Sequence, residues 1–133
     1  MKRRFLPLVA LAALAAASPV LAGADSYPGK PVRVIIPFPP GGTLDAVGRS
    51  LAQKLSEQLG QPFVIENRAG GNGIIGADLV AKAPADGYTL LFNASTFTTA
   101  PMTMKQVPYA VASDFAPVAH VAYTPVLIAT SAG

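Results

Sequence analysis

The run "VRVII", Val32 to Ile36, is β-branched and bounded by prolines, which predicts a buried strand. After "PFPPGGTLD" the pattern changes period. Leu44, Val47, Leu51, Leu55 and Leu59 recur at spacings of three and four, the stripe of an amphipathic helix. Gly60 ends it and Pro62 secures the stop. "FVIEN", Phe63 to Asn67, predicts a second strand, and a shorter helix from about Gly73 to Lys82 is expected to bury Ile74, Ile75, Leu79 and Val80. "PADG", Pro84 to Gly87, is a turn, and Tyr88 to Asn93 a third strand. Strand-helix-strand-helix-strand implies right-handed crossovers in a parallel sheet with helices on both faces, an α/β architecture. From Ala94 to Phe115 the chain is polar, proline-marked and weakly periodic. "APVAHVAY", residues 116–123, and "PVLIAT", residues 125–130, again predict strands.

The first 24 residues belong to a different pattern. Lys2, Arg3 and Arg4 precede the apolar run Phe5 to Ala17, and Ala22-Gly23-Ala24 is a small-x-small cleavage site, so residues 1–24 are expected to be a removable signal peptide. The apolar run is shorter than the roughly 20 residues a bilayer requires and breaks at Ser18-Pro19. Charge changes with that segment. Three of the ten Lys and Arg lie in it, leaving seven bases against seven acids in residues 25–133. No basic cluster remains to follow a phosphate backbone, so nucleic acid is not an expected partner. There is no cysteine and one histidine, which leaves no metal-ligating set of the usual kind. His120, in an alternating run, is expected to be a partly buried strand residue.

Candidate chemistry lies in the glycines. Gly41-Gly42 follows the first strand, and Gly70-Gly71 with Gly73 follows the second; each turn opens a helix, whose free N–H groups and dipole favour an anion. In an open parallel sheet the ligand sits at the carboxyl ends of the strands. Gly71-Asn72-Gly73-Ile74-Ile75-Gly76 has G-x-G-x-x-G spacing, but it falls on the second turn, and the third strand ends in "LLFNAST" without the carboxylate that a dinucleotide ribose needs. Tight turns and close helix packing are the alternative account of the same glycines. Hydrolysis at Ser95 would lack both a G-x-S-x-G elbow and a histidine partner.

The blocks "YPGKPVRVIIPFPPGGTLDAVGR", "LGQPFVIENRAGGNGIIG", "PADGYTLL", "VPY" and "DFAPV" resemble, in order and spacing, the extracytoplasmic solute receptors of tripartite tricarboxylate transporters, the TctC-like or Bug family. The resemblance runs from Tyr27 to about Thr130. It implies a non-enzymatic, periplasmic, two-lobed binding protein of type II-like α/β architecture that needs no cofactor and delivers a small carboxylate to membrane permease subunits. A sensing module for a membrane kinase would use the same pocket. Family members continue into a second lobe, so residues 25–133 are expected to be the first lobe, with the second lobe missing. Ligands in the family are held largely by main-chain N–H groups and ordered water. At matching positions this points to Pro40, Gly41, Gly42 and Asp45, to Gly70, Gly71 and Gly73, and to Ser95 and Thr96. Gly71-Asn72, Met104 and Ala110 depart from the usual family residues.

Some of these side chains carry a second reading. Asp45 can serve the helix dipole near N2 or N3 or contact ligand or water. Arg68 can brace Glu66 or fork a ligand carboxylate. Phe38 and Phe97, near the turns, would suit a ligand with an apolar portion.

Overall fold

The computed structural model describes residues 27–123 and 128–131. The expected signal peptide and residues 125–127 of the run 125–130 lie outside them. The described chain contains strands β1 (Val32–Ile36), β2 (Phe63–Asn67) and β3 (Thr89–Leu91) and helices α1 (Thr43–Leu59), α2 (Ile74–Ala81) and α3 (Thr96–Thr103). β1 is central, in the order β2-β1-β3, and pairs with both neighbours in parallel, Val34 facing Ile65 on one side and Leu90 on the other.

Strand alternation assigns the two faces. Val32 and Val34 pack with Ala52 of α1 and Phe63, against which Leu55, Ile65, Leu90 and Phe92 also rest. Ile36 meets the same helix at Gly48, where an added Cβ would lie 2.7 Å from the Ile36 Cδ1. The next residue, Pro37, faces α2: a Cβ on Gly76 would lie 2.7 Å from the Pro37 Cβ and 3.0 Å from the Arg68 carbonyl oxygen. Helices therefore cover both faces of the sheet, and the two interior glycines let them approach it closely. Gly60 closes α1 in the left-handed conformation at φ 70°, its N–H donating to the Ser56 carbonyl.

Several expectations are corrected. Leu59 at the end of the α1 stripe is 43% exposed, and Ile75 in α2 is 57% exposed because α2 packs through its small residues Gly76 and Ala77. β3 is three residues long where six were expected. Residues 116–123 form no strand: they run as exposed coil, with Val118 83% exposed, and make no ladder with any described strand. His120 is exposed, its ring 4.4 Å from that of Tyr123. α3 was not expected at all. Its sequence "TFTTAPMT" is rich in threonine and carries Pro101, both poor helix formers. Tertiary packing compensates: Ala100 is buried, and Phe97 packs against Tyr109 and Phe115 with ring centroids 5.6 and 4.8 Å away.

Candidate ligand-binding site

Each strand hands the chain to a helix at the same end of the sheet. The turns are Pro37–Gly42, Arg68–Gly73 and Phe92–Ser95. They meet because β1 lies between β2 and β3, and because α3 packs against both the turn at Gly71–Gly73 and α2. Gly73 joins the first two turns: a Cβ there would stand 3.5 Å from the Phe38 ring and 3.7 Å from Pro37.

None of the three helices is capped by a side chain at its N-terminus. In α1 the first backbone return bond runs from the Ala46 N–H to the Gly42 carbonyl, so the N–H groups of Thr43 and Leu44 have no i−4 acceptor. α2 is preceded by a 3-10 turn, Gly71–Gly73, in which the Gly73 N–H bonds to the Gly70 carbonyl; the N–H groups of Gly71 and Asn72 come before that bond. In α3 the Phe97 and Thr98 N–H groups return to the carbonyls of Ala94 and Ser95, leaving those of Ser95 and Thr96 ahead of the helix. Gly41, Gly42, Gly71, Asn72 and Ser95 are all exposed. Three pairs of main-chain donors and three positive dipole ends thus lie at the same end of the sheet, an arrangement that attracts an anion.

The backbone shows why the second turn is glycine-rich. Gly70, Gly71 and Gly73 have φ of 138°, 55° and 93°, values that side-chain-bearing residues rarely adopt, and Asn72 between them is at 53°. In the first turn Gly41 is at 88°, whereas Gly42 is extended at −80°, with open space where a Cβ would stand. Pro40 has no N–H and can offer only its carbonyl.

Asp45 is 5% exposed and its carboxylate is occupied. It accepts from the Gly41 N–H at 3.0 Å, the Arg49 Nε at 2.9 Å and the Asn67 Nδ2 at 2.9 Å. Asn67 also donates to the Phe38 carbonyl at 3.1 Å and accepts from Arg49 at 3.0 Å. Those donors, Arg49 foremost, then Gly41 and Asn67, hold the Asp45 carboxyl well below the usual range. Of its two sequence-based roles, the structure shows Asp45 bracing the turn and the start of α1. Sequence reasoning missed Arg49 and Asn67, although the Asp45-to-Arg49 spacing of four is a helical ion-pair signal.

Arg68 braces Glu66 at 3.0 Å, and Arg33 forks the same carboxylate at 2.8 and 3.1 Å. The Arg33 fork is the main cause that pushes the Glu66 carboxyl from 4.5 to about 2, with partial burial opposing and Arg68 adding. A folded-state value below the unfolded one means that the ion pairs stabilise the fold above the ordinary carboxylate range. That contribution is expected to disappear as pH falls from about 4.5 to about 2. Thermal melts across this range should show a steep acid limb that Glu66→Gln flattens; an unchanged limb in the variant would remove Glu66 from the account.

Phe97 is committed to the aromatic cluster rather than standing free beside the turns. An apolar groove of about 630 Å3 runs between Leu51 and Leu55 of α1, Leu90, and Phe115 and Val118, and is lined also by Phe92, Asn93 and Ala94 of the third turn and by Phe97. It includes none of the residues of the first two turns. No group of His, Cys, Asp and Glu suited to a metal occurs among the described residues.

Unpaired main-chain donors at the strand ends of an open parallel sheet are an anion-binding arrangement shared by many α/β ligand-binding proteins. Residues 47–133 match the model of the tripartite tricarboxylate transporter family receptor, TctC. Protein BugT of Bordetella pertussis is 46% identical over 120 residues, which cover 86% of this chain and 35% of BugT. A protein from the tcbD-tcbE intergenic region of Pseudomonas sp. strain P51 is 42% identical over 98% of this chain and 39% of its own length. Among solved structures, the periplasmic binding protein BugD superposes with a TM-score of 0.61 at 43% identity, over 63% of this chain and 28% of BugD. An R. palustris protein solved with adipate gives 0.63 at 41% identity, over 65% of this chain and 29% of that one. The chain belongs to the TctC receptor family, and it spans a little over a third of the length of the curated relatives it matches.

Proposed function

We propose that the chain is the ligand-binding lobe of a periplasmic receptor that takes up a small organic carboxylate for the membrane permease subunits of a tripartite tricarboxylate-type transporter. The placement of three uncapped helix N-termini at one end of the sheet carries this reading. Family membership sets the class, and the adipate bound to the R. palustris relative supports a carboxylate. Gly42, Gly70, Gly71, Ser95 and Thr96 supply the wall, with Gly41 and Asp45 holding its first turn in shape and the buried Gly73 fixing the second against Phe38 and Pro37. Export follows from the expected signal peptide at residues 1–24. Because the wall is open to solvent, a second lobe closing over it is part of the proposal; exclusion of water is what strengthens charge-assisted hydrogen bonds.

The test is a thermal-shift and calorimetric screen of the complete gene product against adipate, succinate, citrate and acidic amino acids. A matching carboxylate at about 100 times its dissociation constant is expected to stabilise the protein by ~2.7 kcal/mol. NADH, included as the dinucleotide alternative, is expected to do nothing. If no carboxylate in the panel shifts the melt, the reading fails.

A further inference from the structure

Asn67 ends β2 just before the second glycine turn, and its amide reaches across to the first. One Nδ2 group donates to the carbonyl of Phe38 in the first turn, at 3.1 Å, and to the buried Oδ1 of Asp45, at 2.9 Å. Its Oδ1 takes the Arg49 guanidinium at 3.0 Å. The other Asp45 oxygen turns back to hold the Gly41 N–H and the Arg49 Nε. The first turn has few other ties: Pro39 and Pro40 have no N–H to give, and Gly41 and Gly42 are exposed with open space around each. The residue after Asn67 enters the second turn directly, its N–H bonding to the Ile36 carbonyl at 2.8 Å.

We infer that Asn67, acting through Asp45, is a positioning residue that locks the turn after β1 to the turn after β2, so that their main-chain donors face a ligand in one fixed arrangement. The inference rests on the anion-binding reading of those turns, but the lock itself can be measured without a ligand. An amide is suited to this post because a single side chain must both donate to a carbonyl and a carboxylate and accept from a guanidinium. A carboxylate there would oppose Asp45, and an apolar group would leave a nearly buried acceptor short of a partner.

The experiment uses the complete gene product with Asn67→Ala, Asn67→Asp and the exchanged pair Asp45→Asn/Asn67→Asp. Amide hydrogen exchange is followed by NMR, and affinity is titrated with adipate as the probe. Asn67→Ala is expected to speed exchange at the Gly41 N–H by about tenfold while amides of β1 and the middle of α1 keep their relative protection, the signature of one local hydrogen bond lost. Adipate affinity should fall by about tenfold with it. Asn67→Asp, which keeps the shape but removes the donors, should behave no better than alanine. The exchanged pair, which restores a donor and an acceptor across the same gap, should recover part of both signals.

A merely structural role would instead raise exchange throughout the sheet and α1. That result overturns the inference, as does a Gly41 amide that keeps its protection in Asn67→Ala, or an affinity within about twofold of wild type in a variant whose turn has loosened. If the wild-type protein itself ignores adipate, the carboxylate screen judges the functional reading, and the exchange data still decide the lock.

Discussion

Gly76→Ala is expected to destabilise the lobe, although alanine is the better helix former. The new methyl group would stand 2.7 Å from the Pro37 Cβ, 3.0 Å from the Pro37 Cα and 3.0 Å from the Arg68 carbonyl oxygen. Two of these neighbours are backbone atoms at the exits of β1 and β2, so relief requires α2 to move off the sheet. Overpacking of this kind costs about 1–3 kcal/mol, occasionally more, against about 1 kcal/mol gained in helix propensity. The loss prevails, and in a domain of this size each kcal/mol lowers the melting midpoint by roughly 4–8 °C. Gly48→Ala is the control. Its Cβ would meet the Ile36 Cδ1 at 2.7 Å and the Phe92 ring at 3.1 Å, both side-chain atoms that can yield. Thermal melts of the two variants should rank Gly76→Ala clearly below Gly48→Ala. The reverse order would show that side-chain crowding on the α1 face, not backbone approach on the α2 face, limits this fold.

Gly42→Val is expected to separate binding from folding. Gly42 is extended, at φ −80° and ψ 171°, and a Cβ there would meet nothing within 4 Å, so the fold has room for valine and the backbone need not strain. The folding penalty should be confined to a poorer N-cap, about 1 kcal/mol. A ligand carboxylate lying on the α1 N-terminus would instead meet the isopropyl group where main-chain donors are meant to reach it. Losing one charge-assisted hydrogen bond, about 1.5–3 kcal/mol, corresponds to a drop in affinity of roughly 10- to 150-fold. Titration of the complete gene product with its tightest carboxylate, beside melts of the same variant, measures both effects. Gly42→Ala, which adds one methyl group into open space and no competing acceptor, should retain most of the affinity. Normal binding by Gly42→Val would place the ligand elsewhere and reduce this turn to a connector.

The positive-φ glycines of the second turn give a less clean test, because strain and ligand contact change together there. Gly71 at φ 55° and Gly73 at 93° would both burden the fold when substituted. The same glycines explain how G-x-G-x-x-G spacing arises in this receptor fold. Gly71 and Gly73 shape a 3-10 turn, and Gly76 lets α2 lie on Pro37. Each glycine has a local steric reason, and that spacing alone does not specify a dinucleotide.

Features that depend on near neighbours along the chain were legible before the fold was known. The β-branched run Val32–Ile36, the leucine stripe of α1 and its Gly60 stop, the strand at Phe63–Asn67 and the parallel α/β order all belong here, since period, propensity and capping are local properties. So do the glycine turns at the strand ends and, through several specific blocks taken together, the receptor family. The remaining features depend on contacts between distant segments. α3 exists because Phe97 and Ala100 find partners, against the poor helix propensity of its threonines and Pro101. Residues 116–123 alternate as a strand should, yet they join no ladder among the described residues, because pairing requires a partner edge that alternation cannot supply. Ile75 is exposed because the buried face of α2 was chosen by closeness of approach at Gly76 rather than by hydrophobicity. Asn67 and Asp45 are 22 positions apart in the chain, and only the parallel pairing of β2 beside β1 brings that amide to the turn it holds.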